Sequence, residues 1–164
     1  MSDKQINAIV LRKIPYGEDH LIFTVFSESE GKLDFIQRYA RRQSKRKFPA
    51  VDLFRELSIT YQLKLNQDLQ AIQAVDLINS YDQIAKTPIL YKKSLWLCKF
   101  ISQNTVGYHP YPELYKALQL YFTRLSQHDQ KSYMQYLFPV LLVYLSESGQ
   151  LPDLSANEQK QDAM

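Results

Sequence analysis

Cysteine is almost missing from this chain. Cys98 is the single one in 164 residues, which excludes an intramolecular disulfide and any zinc site built from several cysteines, and fits a reducing compartment. Glycine is scarce as well. None of the four glycines stands in the Gly-x-x-x-x-Gly-Lys spacing that cradles a phosphate. His20, His109 and His128 lie far apart and form no i, i+4 pair, so no metal site is expected. The apolar run Leu137 to Leu145 falls well short of the roughly 20 residues that cross a bilayer, and Met1 to Gln5 opens no signal-peptide core. A cytoplasmic protein is expected. Cys98 falls on an apolar helical face without a neighbouring base, so it reads as a buried inert thiol. The paired acids Glu18-Asp19 and Glu28 with Glu30 sit beside turns and read as solvated. No catalytic constellation emerges, and no cofactor or enzymatic activity is expected.

The charge is present but local. The net charge of +3 is mild, yet six of the ten residues from Arg38 to Lys47 are Lys or Arg and none is acidic. Such a cluster repels itself in a core and must face solvent, on a loop or a barrel rim. Its natural partner is a polyanion, because each neutralised phosphate releases a condensed counterion. A plain solvated loop is the competing reading, since a basic run alone is weak evidence. Tyrosine is abundant at 12 residues; its apolar body and polar tip suit surfaces that meet a partner.

Five short strands are expected in the first half, broken by turn residues. Ile6 to Arg12 is β-branched and apolar, and Pro15 to Asp19 supplies turn chemistry. The continuous hydrophobicity of Leu21 to Ser27 implies that both faces are partly covered. Ser29-Glu30-Gly31 turns into a strand over 32–39, with Leu33, Phe35 and Gln37 on one face and Asp34, Ile36 and Arg38 on the other. Phe54 to Tyr61 alternates Leu57, Ile59 and Tyr61 against Glu56, Ser58 and Thr60. Leu69 to Val75 places Leu69, Ala71 and Gln73 opposite Ile72 and Val75. Five strands in about 75 residues suggest a small closed barrel of the OB type.

From about residue 80 the period becomes helical. Leu90, Leu97, Cys98 and Ile101 share one side of a helix over 89–103, and Lys92, Trp96, Lys99 and Gln103 share another. Asn104 to Gly107 stops it. Pro112-Glu113 starts a second helix, apolar at Leu114, Leu118, Tyr121 and Leu125. A third is expected from about Gln130, N-capped by Asp129, with Tyr133, Leu137, Val140, Leu141 and Tyr144 on its apolar side; Pro139 should kink or split it. Gly149 and Pro152 end it. The expected class is α+β: an OB-fold barrel over 1–78, a helical domain over 79–154 and a disordered tail over 155–164.

In this order and spacing the sequence resembles the RecO family of bacterial recombination mediators. The resemblance rests on Ala8-Ile9-Val10-Leu11-Arg12, Tyr16-Gly17-Glu18-Asp19, Thr24-Val25-Phe26-Ser27, Gly31-Lys32-Leu33, Ala40-Arg41-Arg42 with Ser44, and Leu141-Leu142 with Ser148 to Leu154. It implies an N-terminal OB-fold and a helical domain. It implies binding of single- and double-stranded DNA, annealing of complementary strands, and help in loading recombinase onto DNA coated by single-strand-binding protein. RecR and the tail of single-strand-binding protein are the implied partners. Two departures stand out. The cysteine cluster that many members carry after this region is missing here, as in a short form lacking the zinc module, and Tyr39 stands where the family usually has glycine.

The residues expected to contact DNA are Arg38, Arg41, Arg42, Lys45, Arg46 and Lys47, extended by Arg12, Lys13 and Lys32 near strand ends, with phosphates as targets. Tyr39 and Phe35 are candidates for stacking on bases, although Phe35 reads better as core. Lys92, Trp96 and Lys99 share a helix face and form a candidate receptor for an acidic, phenylalanine-ended peptide such as that tail. The preferred reading packs Trp96 into the core while the lysines snorkel. The functional expectation is a non-catalytic, RecO-like DNA-binding and annealing protein. An adaptor that docks repair partners with little DNA binding of its own is the alternative.

Overall fold

The computed structural model describes residues 3–38, 51–64, 67–127 and 133–151. Five strands come first: β1 (Asp3–Tyr16), β2 (His20–Ser27), β3 (Gly31–Gln37), β4 (Glu56–Gln62) and β5 (Leu69–Asn79). They close into a barrel in the order β1-β2-β3-β5-β4. All neighbours are antiparallel except β3 and β5. Four helices follow among the described residues: α1 (Asp82–Ala85), α2 (Pro88–Asn104), α3 (Pro112–Gln127) and α4 (Tyr133–Glu147). The expected α+β class, an OB-fold barrel and then helices, is the observed one.

Alternation fills the barrel. Ala8, Val10, Phe23, Val25, Leu33, Phe35, Leu57, Ile59 and Tyr61 are buried inside it, and Phe35 stacks on Phe23 with ring centroids 5.6 Å apart. Phe35 is therefore core and offers no platform for a base. A second apolar cluster lies between barrel and helices. Ile9, Leu11 and Phe26 on the outer side of the strands join Ile84, Leu97, Ile101, Leu114, Leu118 and Val140. Strand β2 is consequently covered on both faces from Phe23 onward, while His20 to Ile22 stay half-buried.

Several boundaries move for physical reasons. β1 is longer than expected because it serves two neighbours, β2 and β4, and it passes straight through Pro15, which pairs with Leu21. The turn itself is only Gly17 to Asp19. β4 starts at Glu56, not Phe54, because Phe54 sits at φ 67°. That left-handed backbone is an outlier for an aromatic residue, and it accompanies a ring packed edge-on against Tyr91 and beside Phe122. The short α1 was not foreseen. Helix α4 is not split at Pro139, which lies within it. Its described part begins at Tyr133, so the expected Asp129 cap lies outside the described residues. α4 ends in a Schellman motif: Gly149 has φ 69°, its N–H donates to Ser146 O, and the Gln150 N–H donates to Leu145 O.

Two of the contacts between barrel and helices stand out. Gly31, at φ 63°, lies so close to α3's approach loop that a Cβ there would come within 2.0 Å of the His109 carbonyl oxygen. The second is polar. Glu56, which alternation assigned to the polar face of β4, is only 2% exposed. Its Oε1 accepts from Tyr115 Oη at 2.8 Å and from Gln119 Nε2, while its Oε2 accepts from Asn79 Nδ2 at 2.6 Å and from Tyr81 Oη at 3.4 Å.

Candidate nucleic-acid interface

A bulge in β1 decides which of its side chains reach the outer face of the barrel. Val10 pairs with Val25, but the next pairing is Arg12 with Thr24, so Leu11 is the extra residue. Leu11 turns into the cluster under the helices, and Arg12 emerges on the outer surface, exposed. From there the register lays one row across three strands, Arg12–Thr24–Asp34, ending at Leu69 on β5. The next row is Ile14–Ile22–Ile36–Ala71. Tyr16 and His20 pair beyond it, with ring centroids 6.5 Å apart, and Tyr16 is 53% exposed. Arg38 follows directly on β3 and is exposed.

Between these rows lies a cleft of about 190 Å³, lined by Arg12, the isoleucines 14 and 22, Thr24, Asp34, Asp68 and Leu69. The Thr24 hydroxyl donates to Asp34, which fixes that carboxylate in the cleft floor. Chemically the face combines a shallow floor of Ile14, Ile22 and Leu69 interrupted by the Asp34 carboxylate, an exposed aromatic ring at one end and guanidinium groups at the margin. Bases suit the floor and ring, whereas phosphates suit the margin, away from Asp34 and Asp68.

The other sequence candidates fall in different places. Lys13 is engaged at the barrel end with Asp52 at 2.7 Å. Lys32 Nζ donates to the Ser102 carbonyl at 2.8 Å and so ties β3 to α2. Tyr39, Arg41, Arg42, Lys45, Arg46 and Lys47 lie outside the described residues. The chain leaves the barrel at Arg38 and rejoins it at Val51, which is buried in the barrel core.

On α2 the expectation for Trp96 is corrected. The ring is 51% exposed rather than core. At about 100° per residue it falls on the side of exposed Lys92, Lys99 and Gln103, opposite buried Leu90, Leu97 and Ile101. It stacks on Phe100 at 5.6 Å and 17°, and Phe100 meets Tyr144 edge-on at 5.0 Å. Lys93, on the flank, lies 3.3 Å over the Tyr133 ring. Cys98 is buried, and burial pushes its thiol well above the ordinary range. Among the described residues no cluster of His, Cys, Asp or Glu could hold a metal, and no helix is long and apolar enough to cross a membrane.

Sequence reasoning missed the cleft and Glu56. The outward order Asp34, Ile36, Arg38 was visible in the alternation of β3. The phase of β1 was not, because nothing in Val10-Leu11-Arg12 marks a bulge.

A closed five-stranded barrel with this connectivity and an open face on β1, β2 and β3 is an OB-fold, a class that uses its strand 2–3 face and adjoining loops to bind oligonucleotides or oligosaccharides. Residues 1–81 match the family model for the recombination protein O N-terminal region. Through this half, the chain belongs to the RecO family. Similarity extends beyond it. The DNA repair protein RecO of Syntrophotalea carbinolica is 27% identical over 155 residues, which cover 94% of this chain and 59% of that protein. That of Pelobacter propionicus is 24% identical over 156 residues, 95% of this chain and 62% of its own length. That of Macrococcus caseolyticus is 28% identical over 128 residues, 77% and 49% respectively. The chain thus spans between about half and three-fifths of the length of these relatives.

Proposed function

We propose that this protein binds DNA in recombinational repair, holding single strands through the open barrel face and the cation-rich stretch that leaves it, and that it promotes annealing by neutralising two backbones. The observation that carries this reading is the junction at Arg38. A face that carries Ile14, Ile22, an exposed Tyr16 ring and the Arg12 guanidinium leads along the sequence directly into a stretch of ten residues with six cations and no acid. Arg41, Arg42, Lys45, Arg46 and Lys47 take phosphates, so affinity depends on salt and hardly on base sequence. The names of the relatives support a role in DNA repair. RecR and the tail of single-strand-binding protein are the partners this role would use, in loading recombinase onto coated DNA.

The test is single-strand binding across a salt series with the parent chain and a variant carrying Ala at those five positions. Each phosphate contact contributes about −0.7 to the slope of log K against log salt, so five contacts contribute roughly −3.5. Affinity that is flat with salt, or unchanged in the variant, rejects the reading. The adaptor alternative is favoured by one observation, the exposure of Trp96 between Lys92 and Lys99. Capture of RecR or single-strand-binding protein without measurable DNA binding selects it.

A further inference from the structure

Helix α2 carries positive surface of its own. Its 17 residues include three lysines and no acid. Lys92 and Lys99 are exposed, and neither has an ion-pair partner among the described residues. Trp96 lies between them, one turn from each, on the same side. One face of its ring is backed by Phe100, nearly parallel at 17°, and Phe100 is itself braced by Tyr144. A half-exposed indole held from behind, with an unpaired cation on either side, matches a nucleobase with its flanking phosphates.

This strip also connects to the barrel. A groove of about 510 Å³ separates β1 from α2. Arg12 and Lys13 line it on the barrel side and Lys99 on the helix side, over a floor that includes Leu11, Leu53 and Leu95, and among the described residues no acidic one is part of its lining. Lys13 is paired with Asp52, which leaves Arg12 and Lys99 as the facing cations among the described residues. Arg12 also lines the barrel cleft. The same guanidinium therefore borders both depressions, and Lys99 borders both the groove and the Trp96 strip.

We propose that the single-strand path does not end on the barrel but crosses this groove from Arg12 to Lys99 and reaches α2, where Trp96 stacks on a base and Lys92 and Lys99 hold the adjoining phosphates. This rests on the DNA-binding reading above and deepens it by making the helical half part of the nucleic-acid surface. Continuity of cations with the barrel cleft favours a nucleic-acid strand over an acidic peptide, which would need only the strip.

Trp96 is the only tryptophan, so its emission reports on this site alone. The experiment titrates the full chain with a labelled oligothymidylate, following probe anisotropy and indole emission together. Both should saturate in parallel, with emission quenched. Trp96→Leu should weaken binding about 5- to 150-fold, the range for losing one stacked base, and Trp96→Phe should recover part of it. Lys92→Ala with Lys99→Ala should lower the salt slope by about 1.4. If anisotropy rises while emission, the Trp96→Leu affinity and the double-variant slope stay unchanged, the inference is overturned and the barrel reading stands. If anisotropy does not rise, both fail. If a short acidic peptide ending in phenylalanine quenches Trp96 and the oligonucleotide neither quenches nor competes, the strip is a protein-docking site and the inference is likewise overturned.

Discussion

Tyr115 Oη on α3 donates to Glu56 Oε1 on β4 at 2.8 Å, across the seam between barrel and helices. The carboxylate is buried and receives further bonds from Gln119, Asn79 and Tyr81. A buried charge is tolerable only when its oxygens are satisfied, so these donors and the acid form one unit. Tyr115→Phe should destabilise the protein by about 1.5–3 kcal/mol, the range for a hydrogen bond to a charged group. Glu56→Gln should also destabilise it, because its new amide donor would face the Tyr81, Asn79, Tyr115 and Gln119 donors. Urea midpoints at constant slope measure both. A shift in Tyr115→Phe within ~0.5 kcal/mol of zero would show that the seam is held by apolar packing alone.

Arg12 and Arg38 flank the open face and have no ion-pair partner among the described residues. Replacing either by Ala should lower single-strand affinity and reduce the salt slope by about 0.7 per lost phosphate contact, with equal effect on different base sequences. Lys13, already paired with Asp52 at 2.7 Å, should matter less. A Lys13→Ala variant with a larger slope change than Arg12→Ala would reverse that order.

Gly31 has no room for a side chain. Its φ of 63° disfavours L residues, and a Cβ would sit 2.0 Å from the His109 carbonyl oxygen. Gly31→Ala should therefore cost more than the ~1–3 kcal/mol of backbone strain alone, read as a fall in melting temperature of several degrees. A melting temperature within a degree of the parent's would mean that the loop from Val106 to His109 moves aside freely.

Alkaline pH should unfold the protein through its tyrosines. Burial raises Tyr61 and Tyr121 from their ordinary value near 10 to about 12, and it raises Tyr81 and Tyr115 in the same direction, with Glu56 adding to both. The folded value lies above the unfolded one, so this stabilisation is complete below pH ~10 and is lost as pH rises toward about 12. Denaturant midpoints between pH 8 and 12, with phenolate absorbance followed in parallel, should show a late set of tyrosines ionising together with unfolding. Smooth titration of all tyrosines near pH 10 in a folded chain contradicts this.

Most of the barrel could be read from the chain because each strand shows one face to a closed interior, so Leu33, Phe35 and Gln37 or Leu57, Ile59 and Tyr61 announce themselves by alternation. What escaped were features set by a third element. Glu56 looked like a solvent residue because its cover, α3, lies some sixty positions away. Trp96 looked like core by size, although its helical phase already grouped it with Lys92 and Lys99. The Leu11 bulge left no local trace, yet it decides which way Arg12 faces. The cation-rich stretch was the plainest signal of all, and of its residues only Arg38 is among those described.

The parallel pairing of β3 with β5 has a kinetic side. The cylinder cannot shut until Leu69 to Asn79 has been made, and even then Ile9, Leu11 and Phe26 show their outer sides to water until α2 and α3 arrive. During synthesis these three side chains should thus stay wet until the helical part has followed them.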